Sequence, residues 1–226
     1  MSVDTGSVAL RTADGQVFEQ ILQGHASHAA DALSGVQSLM QQAGVSPAQC
    51  LAVAADVGPG GFTGLRTACG LAQGLAVGWQ VPTVAVSSLN LLAHAAISLL
   101  ADPPEGLYLA ALDARQSEVY VAAFQWCGGQ VKSVLAPSLC PYGGFPVTDL
   151  PVRVAVGPGV RHLAVPPSAV AVVLDPDLLP RAAVLVQVAA LQAAAGLFLQ
   201  PAQCQPLYVR EQVALTTEQR RQQVRG

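Results

Sequence analysis

A glycine-rich loop set between a short apolar strand and an almost uncharged helix constrains this chain more than any other feature. Residues 50–57 read as a strand, Gly58-Pro59-Gly60-Gly61-Phe62-Thr63-Gly64 follows and opens a helix to about Gly78, and residues 81–86 read as the next strand. Strand, helix and strand in immediate succession imply a right-handed crossover and a parallel strand pair. The loop is not a Walker A loop, because no Lys-Ser/Thr follows its last glycine. Nor do its glycines fall at the G-x-G-x-x-G spacing of a dinucleotide fingerprint. Two readings remain: a tight turn that only glycine makes, and a helix N-terminus whose free N–H groups receive an anion.

The helix behind the loop adds a second constraint. Gly70, Gly74 and Gly78 lie four residues apart on one face, where another backbone could approach closely. Leu65, Cys69, Ala72, Leu75 and Ala76 are apolar too, and Arg66 is the only charge. A helix apolar on all sides must be covered on all sides. Its own sheet covers one side, and a helix of this chain or of a second protein must cover the other. A subunit interface is therefore one of the two ways to cover it.

Around this unit the pattern is α/β. Residues 8–23 read as a β-hairpin turning at Ala13-Asp14-Gly15. Ala29, Ala32, Leu33, Val36, Leu39, Met40 and Ala43 recur at helical spacing, with Ser27 as candidate cap and Gly44 as the stop. Ser46-Pro47-Ala48-Gln49 reads as a capping box. Residues 89–100 form another helix, and residues 102–106 a linker. Beyond it come strands at 107–112, 118–125 and 130–135, and a proline-rich stretch at 137–151. A strand at 152–156, a second Gly-Pro-Gly at 157–159, a helix at 182–199 and an arginine-bearing tail complete the chain. The expectation is mixed sheets flanked by helices, in a first lobe of residues 1–105 and a second of 106–226, with the tail packing back on the first.

Composition narrows the function classes. Hydrophobic residues make up 52% and charged residues 11%, which demands a packed core rather than disorder. A net charge of −3 lacks the basic excess of a chain that grips a phosphate backbone by itself. Five cysteines without a CxxC pair read as reduced thiols. No signal peptide is visible, and the charge-free segments 67–101 and 182–209 are broken by glycine, proline or glutamine, so no membrane span and a cytoplasmic location are expected. Asp4-Thr5-Gly6 matches the aspartic-protease triplet, but the second carboxylate of that dyad is missing. His25 and His28, three apart, lack a third metal ligand. Asp113, Arg115 and Glu118 read as an ion-pair cluster at a turn. No catalytic, metal-binding or cofactor-binding residue is assigned.

Taken in order, four segments resemble the TsaB (YeaZ) family: Val3-Asp4-Thr5 with Ser7-Val8-Ala9-Leu10; Gly58 through Arg66; Leu112-Asp113-Ala114-Arg115 with Glu118-Val119-Tyr120; and Pro206-Leu207-Tyr208-Val209-Arg210. The resemblance implies a two-lobed actin-like (ASKHA, RNase H-like) fold. It implies a non-catalytic partner of a TsaD-type paralogue, which acts with TsaE to place a threonylcarbamoyl group on the adenosine beside the anticodon of ANN-reading tRNAs. It also implies a homodimer in isolation, tRNA contact only through the complex, and no cofactor of the chain's own, with ATP or ADP at the complex interface left open. Carried over by position, the partner interface comprises His28, Leu33, Val36 and Met40 on the first helix. On the loop and second helix it comprises Gly58, Pro59, Gly60, Phe62, Thr63, Gly64, Leu65, Arg66, Gly70, Leu71, Gly74, Leu75 and Gly78. The family has several apolar residues before its Asp-Thr, whereas here only Met1-Ser2-Val3 precede Asp4. That shortens the first strand and the equivalent of the phosphate loop. The alternative, a stand-alone actin-fold ATPase or phosphotransferase, needs an intact phosphate hairpin and a magnesium-holding carboxylate.

Overall fold

The computed structural model describes residues 6–22, 29–146, 151–165, 170–173 and 177–210. Strands β1 (Gly6–Arg11) and β2 (Val17–Leu22) form an antiparallel ribbon around the expected Asp-Gly turn. Helix α1 (Ala29–Ala43) packs on it, and Gly35 is where the two meet, since a Cβ there would lie 2.8 Å from Val8. Strand β3 (Val53–Gly58), helix α2 (Phe62–Trp79) and strand β4 (Thr83–Ser87) follow. The two strands are parallel, as a helical crossover requires. Helix α3 (Ser88–Leu99) begins without a loop, its first turn capped by the Ser87 hydroxyl accepting from the Asn90 N–H.

The rest of the chain builds a five-stranded sheet from β5 (Gly106–Arg115), β6 (Glu118–Cys127), β7 (Gln130–Pro141), β8 (Val152–Val156) and β9 (Val170–Val173), in the order β7-β6-β5-β8-β9. It is mixed: β6 and β7 run antiparallel to their neighbours, and β8 and β9 run parallel. Helix α4 (Ala182–Ala194) follows. Three features differ from expectation. Strand β7 continues through Pro137 to Pro141, tolerable because it is an edge strand whose outer N–H groups need no partner. Helix α4 stops at Ala194 rather than residue 199, where Gly196 at φ +74° turns the chain. Strand β9 has no sequence counterpart among the expected elements.

Packing crosses the linker in both directions. Leu89, Leu92, Ala93 and Ala96 of α3 join Tyr108, Ala110, Val154 and Val156 of the large sheet in one core. Leu185, Val188 and Ala189 of α4 join Val84, Val86 and Leu91 in another. The N-terminus of α4 is tied to the first ribbon. Ala182 N–H donates to the Ser7 hydroxyl at 2.8 Å and Ala183 N–H to Glu19 at 3.0 Å, while Arg181 pairs with Glu19. An element from beyond residue 106 thus completes the packing of strands that precede it. Among the described residues no helix is long and apolar enough to cross a membrane.

Candidate functional site

Strand β3 ends at a glycine that no other residue replaces. Gly58 has φ +98°, and a Cβ there would lie 2.6 Å from the Leu65 side chain. Gly58 and Pro59 are buried, while Gly60, Phe62, Thr63 and Gly64 are exposed. This geometry fits the tight-turn reading of the loop. Beneath it, one Asp56 carboxylate oxygen accepts from the Gly58 N–H at 2.8 Å and from the Ser88 hydroxyl at 2.6 Å. A single side chain therefore fixes the starts of both the loop and α3. Burial pushes the Asp56 carboxyl above its ordinary value, partly opposed by those two hydrogen bonds. Reading residues 50–57 as an apolar strand passed over Asp56, and only its solitary charge there marks it.

Helix α2 has two unlike sides. Its underside buries Cys69, Ala72 and Ala76, with Cys69 and Ala72 packed against Ala55, Val57 and Cys204. Its outer side presents Thr63, Arg66, Gly70, Gly74, Val77 and Gly78 to solvent. A Cβ added at Gly64, Gly70, Gly74 or Gly78 meets no atom within 4 Å. Among the described residues, then, nothing covers this face. Phe62 and Val77, 48% and 66% exposed, lie toward its two ends. On α1, Leu33 is exposed and Val36 half-buried, but Met40 is only 6% exposed, so its side chain serves the chain's own core rather than an outward surface. Leu65, Leu71 and Leu75 are half-buried. His25, His28 and Asp4-Thr5 lie outside the described residues.

A C-terminal strap borders the same helix. Leu199 bridges to Thr83, and the Gln73 amide donates to the Cys204 carbonyl at 2.9 Å. Leu207 N–H donates to the Val57 carbonyl at 2.7 Å. Arg66 donates to the Tyr208 hydroxyl at 3.1 Å while its guanidinium lies 3.8 Å from the Phe62 ring centroid. The strap reaches the β5–β6 turn through Arg210, which pairs with Glu118 and donates to the Gln116 side chain at 2.8 Å. This corrects the turn cluster: the cation paired with Glu118 is the distant Arg210. Residues 115–117 hold φ of +60°, +53° and +60° without a glycine, a strained turn that Arg210 pins. Burial alone would raise Asp113, but hydrogen bonds from the Arg115 N–H and the Tyr142 hydroxyl and the nearby His162 outweigh it and hold the carboxyl below its ordinary value. Tyr142 in turn stacks on His162 at 4.1 Å. Among the described residues no group of three His, Cys, Asp or Glu is placed to hold a metal ion.

Comparison with known proteins decides the family. The model described as "TsaD: tRNA N6-adenosine threonylcarbamoyltransferase" matches residues 22–146. The solved structure of YeaZ from Pseudomonas aeruginosa superposes with a TM-score of 0.79 at 31% identity, covering 91% of this chain and 94% of that one. The chain belongs to the TsaB (YeaZ) family. Its curated relatives include the tRNA threonylcarbamoyladenosine biosynthesis protein TsaB of Escherichia coli, 34% identical over 148 residues, or 62% of this chain and 63% of that protein. The Bacillus subtilis TsaB is 30% identical over 139 residues, 60% of this chain and 58% of the relative. The chain thus spans about three fifths of the length of these two relatives. With TsaB membership comes the actin-like, RNase H-like fold, which the helix-flanked mixed sheets fit.

Proposed function

We propose that the chain is the non-catalytic partner subunit of a TsaD-type tRNA threonylcarbamoyltransferase, required for threonylcarbamoyl modification of the adenosine next to the anticodon of ANN-reading tRNAs. The observation that carries this reading is the outer face of α2, where Gly70, Gly74 and Gly78 leave open space in line. Helices normally pack 8–10 Å apart depending on the side chains at the contact, and glycine permits the nearer approach. A helix from a related fold, laid along this groove, would bury Phe62 and Val77 at its ends and reach Leu33 on α1. The relatives named for threonylcarbamoyladenosine biosynthesis, and the match to a TsaD model, support a TsaD-type paralogue as the occupant. In this reading TsaE joins the complex, tRNA is reached only through it, and any ATP or ADP binds at the subunit interface. The isolated chain self-associates through the same face, and the complex works in the cytoplasm.

A reconstituted transfer assay tests this. Labelled threonine, bicarbonate, ATP, an ANN-reading tRNA, TsaC, TsaD and TsaE are combined with and without the chain. Modification that depends on its addition is the expected result. Equal modification in both reactions, without co-elution of the chain with TsaD, overturns the proposal and favours a stand-alone ATPase.

A further inference from the structure

Two cysteines far apart in sequence meet beneath α2. Cys69 and Cys204 are 2% and 0% exposed and share one small buried cluster with Ala55, Val57 and Ala72. The two side chains lie close enough for each thiol to perturb the other. Gln73, one turn after Cys69 on the same side of α2, donates to the Cys204 carbonyl at 2.9 Å and so pins the strap backbone beside this cluster. Cys50, Cys127 and Cys140 are also free thiols, half-buried, exposed and buried respectively. Proximity to Cys204, with burial, pushes the Cys69 thiol up, while proximity to Cys69 draws Cys204 down.

We propose that Cys69 and Cys204 form a reversible disulfide, driven by a low-molecular-weight disulfide such as oxidised glutathione, that staples the C-terminal strap to α2. Both sulfurs are covered, so the strap lifts first, breaking the Gln73 and Leu207 hydrogen bonds. The Cys204 thiolate attacks one sulfur of the oxidant and forms a mixed disulfide, releasing one small thiolate that takes up a proton. The Cys69 thiolate then attacks the Cys204 sulfur and expels the second small thiol. Two protein thiols are oxidised, one small disulfide is reduced to two thiols, and the protein loses two hydrogens. The same strap carries Tyr208 against Arg66 and Phe62 at the rim of the open α2 face, so the new bond fixes that rim in place. This inference goes beyond the proposed function and does not rest on it.

The test uses the full chain, incubated with oxidised glutathione, then denatured, alkylated, digested with trypsin and mapped by mass spectrometry. The expected result is an intact mass lower by two hydrogens and a linked pair of peptides containing Cys69 and Cys204. A thermal midpoint raised by at least about 5 °C and restored by dithiothreitol should accompany it. The Cys50→Ser and Cys127→Ser variants should keep the link, and Cys69→Ala should abolish it. Glutathione adducts at Cys50 or Cys127 with Cys69 and Cys204 recovered as alkylated thiols would overturn the proposal in the unmutated chain, whatever the variants do. A cross-link without a change in thermal midpoint would overturn the stapling.

Discussion

Helices α2 and α3 flank strand β4 and are both strongly apolar, yet one is enclosed and the other left half open. Along α3, Ser88, Leu89, Leu91, Leu92, Ala93, Ala95 and Ala96 are all buried, because the helix lies among the large sheet, β4 and α4. Along α2 only Cys69, Ala72 and Ala76 are. Apolarity states that a helix must be covered, and residue size states how near the cover comes. Leucine fills the space around α3. On the outer side of α2 the space is emptied by glycine, each costing about 0.5–1 kcal/mol of helix stability relative to alanine. No contact among the described residues explains that cost, and the partner helix proposed above would.

The comparison breaks most readily at Leu92, which is fully buried. Leu92→Ala should destabilise the chain by about 2–5 kcal/mol in urea unfolding, and a cost below about 1 kcal/mol would mean that α3 is not enclosed as described. Asp56, which fixes the starts of the glycine loop and of α3, comes next. Asp56→Ala removes two hydrogen bonds to a buried carboxylate and should cost about 1–3 kcal/mol. Asp56→Asn keeps an acceptor oxygen for both and should be far milder. Its pH dependence separates the two effects. Because the folded-state pKa is raised, the stability contributed by this group is complete below the unfolded value of about 4 and is lost as pH rises through the folded value. Thermal midpoints measured from pH 4 to 8 should therefore decline less for Asp56→Asn than for the unmutated chain. A parallel decline would remove Asp56 as its source. Smallest in stability, and sharpest for function, is Gly74. Gly74→Ala should stabilise the isolated chain by up to about 1 kcal/mol, and Gly74→Leu should fold but lose co-elution with TsaD. A destabilised Gly74→Ala would mean that something in this chain already covers the face.

Much of this contrast was legible in the sequence. The Asp14-Gly15 turn, the Gly44 stop, the capping box at Ser46 and the two helices after β3 and β4 all arise from local chemistry, and local patterns report them. The open face of α2 was visible as a glycine period. What escaped was non-local. Pro137 and Pro141 argued against a strand, and only the edge position of β7 admits them. Glu118 has Arg115 nearby in sequence, but its partner is Arg210. The strap has no periodicity, so neither its path under α2 nor the meeting of Cys204 with Cys69 follows from pattern. Asp56 hid in an apolar strand because its role depends on Ser88, distant in sequence and brought beside it where β4 passes into α3.

That strap also sets an order of assembly. Its ties span 116 residues from Thr83 to Leu199, 131 from Gln73 to Cys204 and 142 from Arg66 to Tyr208. Contacts of such separation make closure slow, because a long loop must be ordered before any reward. During synthesis, β3, α2 and β4 emerge early, and the part of the α2 underside that meets Cys204 waits until the strap leaves the ribosome. The strap therefore completes a unit whose other parts were made well before it.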